Sequence, residues 1–196
     1  MNPALLVIDL QQFFFKRAIF STPAGEKSLT KLVYNTNELI DFFFVRELPI
    51  VHIRTVHKED GSTRDLWMKR NNRRSLVEKT EDARELTSVH RYQSDIEVIK
   101  TRGNSFLRTN LEETLRQRGV DTVVVTGYST NRCVGITAAE ALERDFDVLL
   151  AGDSILGADP DRAETMLSLL RVEFEIESLS NMEIIRKLSA SLKLLD

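Results

Sequence analysis

The stretch that most constrains this chain runs from Val123 to Leu142. It reads Val-Val-Val-Thr-Gly-Tyr-Ser-Thr-Asn-Arg-Cys-Val-Gly-Ile-Thr-Ala-Ala-Glu-Ala-Leu. The opening run of β-branched residues predicts a buried strand. Gly127 is expected to break it. Ser129, Thr130 and Asn131 are residue types that cap helix N-termini, so a helix is expected to open there. Its residues 134, 138, 141 and 142 are small or apolar, a face suited to close packing on a sheet. Cys133, the single cysteine of the chain, then falls in the first turn of a helix that follows a buried strand. Open α/β sheets place their ligands at that end of the strands. A helix N-terminus also favours a thiolate. A lone cysteine is more often a small buried hydrophobe, so the remaining sequence has to decide.

Similar units flank this stretch. Ala4 to Ile8 is an apolar run closed by Asp9 and predicts a central parallel strand. Gln11, Gln12 and the cluster Phe13, Phe14 and Phe15 follow, placed to plug the sheet edge or line a pocket. Ser21 to Lys27 reads as a loop. Leu29 to Glu47 carries Leu32, Val33, Thr36, Leu39, Ile40 and Phe43 at helical spacing. Ile50 to Arg54 and Asp95 to Lys100 predict further strands. Thr109 or Asn110 is placed to cap a helix from Leu111 to Arg118 that Gly119 ends. Val148 to Ala151 is a strand. Asp159 and Pro160 fit the cap and first position of a helix. Phe174 to Glu177 alternates as an edge strand would, and Asn181 to Leu194 predicts a C-terminal helix. Strands alternate with helices, so the expected class is three-layer α/β with a mostly parallel sheet.

Residues 55–89 resist this reading. They are polar and irregular, with Trp67 and a basic run from Lys69 to Arg74 that by itself reads as a solvated face. A connection this long is expected to be a functional lid or specificity insertion.

Composition narrows the partners. The chain has 196 residues, enough for one domain with a sizeable core. With 42% hydrophobic and 29% charged residues and a net charge of −3, it has the profile of a soluble globular protein. That charge gives no reason to expect nucleic acid or an anionic membrane as partner. The N-terminus lacks a basic region ahead of its apolar run, and no apolar segment reaches the length of a membrane span, so a cytoplasmic location is expected. The apolar residues Ile184, Ile185, Leu188, Leu192, Leu194 and Leu195 near the C-terminus predict a homo-oligomer, a dimer or tetramer.

Three polar residues, Asp9, Lys100 and Cys133, end three strand-like runs. In a parallel sheet all three emerge at one edge. There a carboxylate can take and return a thiol proton, and a lysine can hold that carboxylate. Backbone N–H groups at Ser129 and Cys133 are placed to bind an oxyanion. The lysine and the helix end are expected to hold the thiol pKa below its ordinary value.

These residues resemble the isochorismatase-like cysteine hydrolases. The resemblance rests on Asp9-Leu10-Gln11-Gln12-Phe13-Phe14, on Lys100 ahead of Ser105-Phe106, and on the Gly-x-x-Thr-x-x-Cys-Val pattern from Gly127 to Val134. It runs from about Ala4 to Leu170. It implies a Rossmann-like α/β/α fold with a six-stranded mostly parallel sheet, and a catalytic triad of Asp9, Lys100 and Cys133. It also implies a non-proline cis peptide at Tyr128–Ser129. Nicotinamidases, one branch of the family, hold a divalent metal through an Asp-x-His pair, but this chain reads Thr55-Val56-His57 at that place. His57 is therefore expected to be a pocket residue, with no metal or cofactor required.

The expected function is hydrolysis of a small amide, carbamoyl or ureide C–N bond through a thioester. Gln11, Phe14, Trp67, Arg102, Asn104 and Tyr128 are the candidate pocket residues. The alternatives are isochorismate vinyl-ether hydrolysis, nicotinamidase activity, or a non-enzymatic binding or redox-sensing role on the same fold. A nucleotide-binding doubly wound domain is disfavoured, because no Gly-x-Gly-x-x-Gly follows the first strand.

Overall fold

The computed structural model describes residues 1–16 and 18–192. Six strands form one parallel sheet: β1 (Pro3–Ile8), β2 (Ile50–Thr55), β3 (Ile96–Lys100), β4 (Thr122–Tyr128), β5 (Asp147–Leu156) and β6 (Ser178–Leu179). Their order across the sheet is β3-β2-β1-β4-β5-β6. Every pairing between neighbours is parallel. The helices are α1 (Gln12–Phe15), α2 (Pro23–Phe44), α3 (Leu66–Arg70), α4 (Leu111–Arg116), α5 (Gly135–Leu142), α6 (Pro160–Phe174) and α7 (Asn181–Leu192).

Alternation along the strands divides the core in two. Leu6, Ile8, Val123 and Val125 face one way and pack with Leu111 and Leu115 of α4, Ala138 and Ala141 of α5 and Leu170 of α6. Leu5, Val7 and Val124 face the other way and meet Leu39, Ile40 and Phe43 of α2 and Ile184 and Leu188 of α7. Burying both faces is why the central strands read as continuous apolar runs. No helix among the described residues is long and apolar enough to cross a membrane.

Several sequence-based boundaries move. The helix expected from Leu29 starts at Pro23, because Thr22 caps it by accepting from the Gly25 amide at 3.1 Å. The expected loop from Ser21 to Lys27 is thus mostly the first turns of α2. Gly127 does not end its strand: β4 runs on to Tyr128, with a register shift against β5 between Val125 and Gly127. Gly127 has φ +111°, and a Cβ there would stand 2.0 Å from the Ile8 carbonyl oxygen, so a side chain is excluded by β1 itself. The Phe174–Glu177 strand is not formed. α6 continues to Phe174, and Glu175 reverses the chain in the left-handed region at φ 55°. The edge strand is Ser178–Leu179 instead.

The apolar face of α7 is spent within the chain, where Ile184 and Leu188 are fully buried. Ile185 and Leu192 are only partly buried, and Leu194 and Leu195 lie outside the described residues.

Candidate active site

The strand order reverses between β1 and β4, and in open α/β sheets that switch point makes a crevice at the C-terminal strand ends. Asp9 leaves β1 on one side of it with φ 52°, a left-handed conformation that aspartate tolerates better than most residues. On the other side, β4 leads through a cis Tyr128–Ser129 peptide into a π-helical turn, Thr130–Val134, that carries Cys133. The sequence predicted an ordinary first α-turn here. The wider turn forms because the Ser129 carbonyl accepts from both Arg132 and Val134 amides, at 2.9 and 3.2 Å. α5 begins only at Gly135, where a Cβ would lie 2.7 Å from the Thr130 carbonyl oxygen.

Lys100 reaches this crevice from β3, two strands away from β1. Its ammonium donates to Asp9 Oδ2 at 2.7 Å, to Thr55 Oγ1 at 2.8 Å and to the Arg102 carbonyl at 3.0 Å. Asp9 and Lys100 are both fully buried. Such a pair is costly to break, because removing one partner strands a charge away from water. Thr55, at the end of β2, stands between them. Its hydroxyl donates to Asp9 Oδ1 at 2.9 Å, and its amide donates to the same oxygen at 2.9 Å. The Cys133 thiol feels both Asp9 and Lys100 as its charged neighbours. Asp9, Lys100 and Cys133, drawn from three separate strand ends, thus meet at one point.

The charge states follow from burial and neighbours. Burial pushes the Cys133 thiol up, Lys100 pulls it down, the Asp9 carboxylate pushes it up again, and the result lies at about 12. The expectation of a depressed thiol pKa is therefore corrected. The sequence shows the charges around the thiol but not its burial, which is the largest effect. At neutral pH the thiol holds its proton. Burial lowers the Lys100 pKa, but Asp9 and Cys133 together outweigh it, and the lysine pKa is raised.

A cavity of about 450 Å³ opens beside the thiol, with Cys133, Thr55 and His57 in its lining. Of the expected pocket residues, Phe14, Trp67 and Arg102 line it. Gln11, Asn104 and Tyr128 do not. Gln11 is a buried buckle: its side chain donates to the carbonyls of Thr55 and Ala83 at 3.0 and 2.8 Å and accepts from the Thr55 amide at 2.9 Å. Asn104 shapes its own turn by accepting from the Phe106 amide. Tyr128 packs among Phe14, Phe15 and Phe20 behind the site.

Sequence reasoning passed over Thr55 as a site residue and noted it only for the missing aspartate. Its place between two charged groups had one available signal, the coincidence of a hydroxyl with the end of β2. Arg73 also lines the cavity, so the basic run is not wholly a solvated face.

The Asp-x-His metal set of the nicotinamidase branch does not fit these residues. The Thr55 hydroxyl is committed to Asp9 and Lys100. Among the described residues, no group of three or more His, Cys, Asp or Glu side chains is placed to hold a metal ion.

Residues 3–178 match the model of the isochorismatase domain. The chain belongs to the isochorismatase family. Members of this family are hydrolases, amidohydrolases among them. A protein of Arabidopsis thaliana named "Probable inactive nicotinamidase" is 29% identical over 168 residues, 82% of this chain and 83% of its own. Among solved structures, a cysteine hydrolase from Pseudomonas syringae pv. phaseolicola superposes with a TM-score of 0.84 at 23% identity, covering 96% of this chain and 93% of its own. The N-carbamoylsarcosine amidase of Thermoplasma acidophilum superposes with a TM-score of 0.76 at 26% identity, covering 92% and 97%. This isochorismatase-family chain therefore shares its parallel sheet with enzymes that act at C–N bonds.

Proposed function

We propose that the chain is a metal-independent cysteine hydrolase that cleaves a small amide, carbamoyl or ureide C–N bond. The observation that carries this reading is the buried Cys133 thiol with Asp9 and Lys100 as its charged neighbours, while Lys100 holds that carboxylate at 2.7 Å. The similarity to an N-carbamoylsarcosine amidase supports it.

In this reading the Cys133 sulfur attacks the carbonyl carbon as its proton passes to Asp9. No free thiolate has to form first, which suits a thiol pKa of about 12. The backbone amides of Ser129 and Cys133 hold the oxyanion of the tetrahedral intermediate. The C–N bond then breaks, and Asp9 returns the proton to the departing nitrogen. A water molecule gives a proton to Asp9 as its oxygen attacks the thioester carbon. Release of the acid restores the thiol. Lys100 stays charged throughout and keeps Asp9 oriented. Thr55 holds the Asp9–Lys100 geometry, and the segment of residues 55–89 shapes the specificity wall.

The test is ammonia release from a panel of nicotinamide, carbamoyl and ureido compounds, with Cys133→Ala as control. Turnover of one class that vanishes in Cys133→Ala is expected. Turnover that survives in Cys133→Ala would overturn covalent catalysis. A silent panel with intact protein would favour a non-enzymatic role.

A further inference from the structure

The chain as a whole carries a net charge of −3, yet the cavity beside Cys133 has the opposite sign. Arg73, Arg102, Arg132 and Arg162 line it, against a single carboxylate, Asp65. That carboxylate is partly occupied: its Oδ1 caps α3 by accepting from the Met68 amide at 2.7 Å, and its Oδ2 stands 3.7 Å from Arg132. Arg162 has its own partner in Asp159 at 3.1 Å. Arg102 has no such neutralising partner among the described ion pairs. Its Nη1 donates to the carbonyls of Thr63 and Thr101, at 2.8 and 2.7 Å. Those bonds fix the guanidinium in place without cancelling its charge. Arg132 leans over the Trp67 ring at 5.2 Å, and its side chain is half exposed to the cavity mouth.

His57 is buried in the same wall, and burial lowers its pKa, with Arg102 and Lys100 acting in the same direction and Asp65 against them. A neutral amide substrate gives these fixed cations nothing to bind. A planar anion matches a guanidinium fork in shape as well as charge.

We propose that the substrate of this site is an anion, a carboxylate-bearing amide, carbamoyl or ureido compound whose carboxylate is held by Arg102 and Arg132. The inference rests on the hydrolase reading for the reacting bond, but the charge preference stands on the arginines alone.

The experiment compares alkylation of Cys133 by iodoacetate and by iodoacetamide, which differ chiefly in charge. The reference is the ratio of the two rates on a small free thiol at the same pH. Cys133 is expected to shift that ratio toward iodoacetate by about tenfold or more, with the shift shrinking as salt is raised. Arg102→Met and Arg132→Met should each move the ratio back toward the free-thiol value, and Arg102→Lys should recover part of it. A wild-type ratio equal to that of the free thiol, or shifted toward iodoacetamide, overturns the proposal.

Should burial block both reagents, binding decides. Cys133→Ser is titrated by calorimetry with N-carbamoylglycine and with N-carbamoylglycinamide. Tighter binding of the acid by about tenfold supports the proposal, and equal binding or a preference for the neutral compound overturns it. Neither measurement requires turnover. A silent ammonia panel with a persistent anion preference would sink the hydrolase reading alone. Cys133-dependent hydrolysis with no charge preference would sink the anion site alone.

Discussion

Two histidines lie five positions apart, one inside β2 and one two residues past its C-terminal end, and both are buried. His52 is fully enclosed, with Nδ1 2.8 Å from Glu85 and Nε2 3.1 Å from Asp95. His57 is 3% exposed in the cavity wall, with Asp65, Arg102 and Lys100 as its charged neighbours. Burial acts on both in the same direction, against the imidazolium. At His52 the two carboxylates outweigh it and the pKa is raised. At His57 burial prevails, the two cations reinforce it, and the pKa is lowered. The same side chain is thus biased toward its charged form inside the strand and toward its neutral form just beyond it. The first position uses acidic residues to fasten the segment before β3, and the second gathers positive charge around the thiol.

The largest effect that can test this division is on catalysis. Cys133→Ala and Asp9→Asn are expected to lower kcat/KM on the best panel substrate by about a thousandfold or more. His52→Gln, at the structural position, should leave it nearly unchanged. A comparable loss in His52→Gln would mean that the two positions are not separate.

Stability should show the reverse. His52→Leu leaves Glu85 and Asp95 facing each other without their cation, and a loss of about 3–5 kcal/mol in urea unfolding is expected. His57→Gln should cost less, because burial rather than a pair of carboxylates sets its state. If His57→Gln proves the more destabilising, the comparison inverts.

Thr55→Val removes a hydroxyl that serves both Asp9 and Lys100. It should cost about 1–3 kcal/mol, read as lower stability together with a reduced kcat at unchanged KM. Rescue by Thr55→Ser would show that the hydroxyl, rather than the methyl group, does the positioning.

The pH dependence is smaller and its sign differs at the two histidines. His52 has a raised folded pKa, so its stabilisation is complete below the unfolded value of about 6.5 and is lost as pH rises through the folded pKa. His57 has a lowered one, so the stability tied to its neutral form is present above about 6.5 and is lost as pH falls toward the folded pKa. Denaturant midpoints measured across pH should therefore lose their alkaline-side decline in His52→Gln and part of their acid-side decline in His57→Gln. Slopes of the same sign for both variants would contradict the assignment.

The smallest expected effect is none at all. Dialysis against EDTA should leave kcat/KM unaltered. Activity lost to EDTA and restored by zinc would make His57 a ligand instead of a wall, and the contrast with His52 would have to be redrawn.

What could be read from the residues was whatever a single strand dictates. Ala4–Asp9 and Val123–Gly127 are apolar runs and Asp95–Lys100 an alternating one, each with a polar or turn residue at the end, and a parallel sheet converts those ends into one site. What could not be read depends on partners distant in sequence. Phe-Glu-Ile-Glu alternates as a strand would, but Ile176 is drawn back onto the end of α6 by its amide bond to the Leu170 carbonyl. The segment after β2 has no periodicity because it is held by isolated bridges, His57 to Val77 and Gln11 to Glu85. The thiol pKa failed for a related reason: neighbouring charges are visible in a sequence, and depth is not.

Lys100 comes from β3, which stands at one border of the sheet and is held to it through β2. Its ammonium must cross above β2 to meet a carboxylate from β1. The chemistry therefore hangs on the least supported of the strands that build the site. A slip of β3 by one position would turn Lys100 to the opposite face of the sheet and leave Asp9 without its counter-ion, while the central strands stayed paired. Partial damage at this border, whether from heat or mild denaturant, would silence the molecule while most of its core was intact. Under the proposed mechanism, activity would be an early gauge of wear at the sheet's margin.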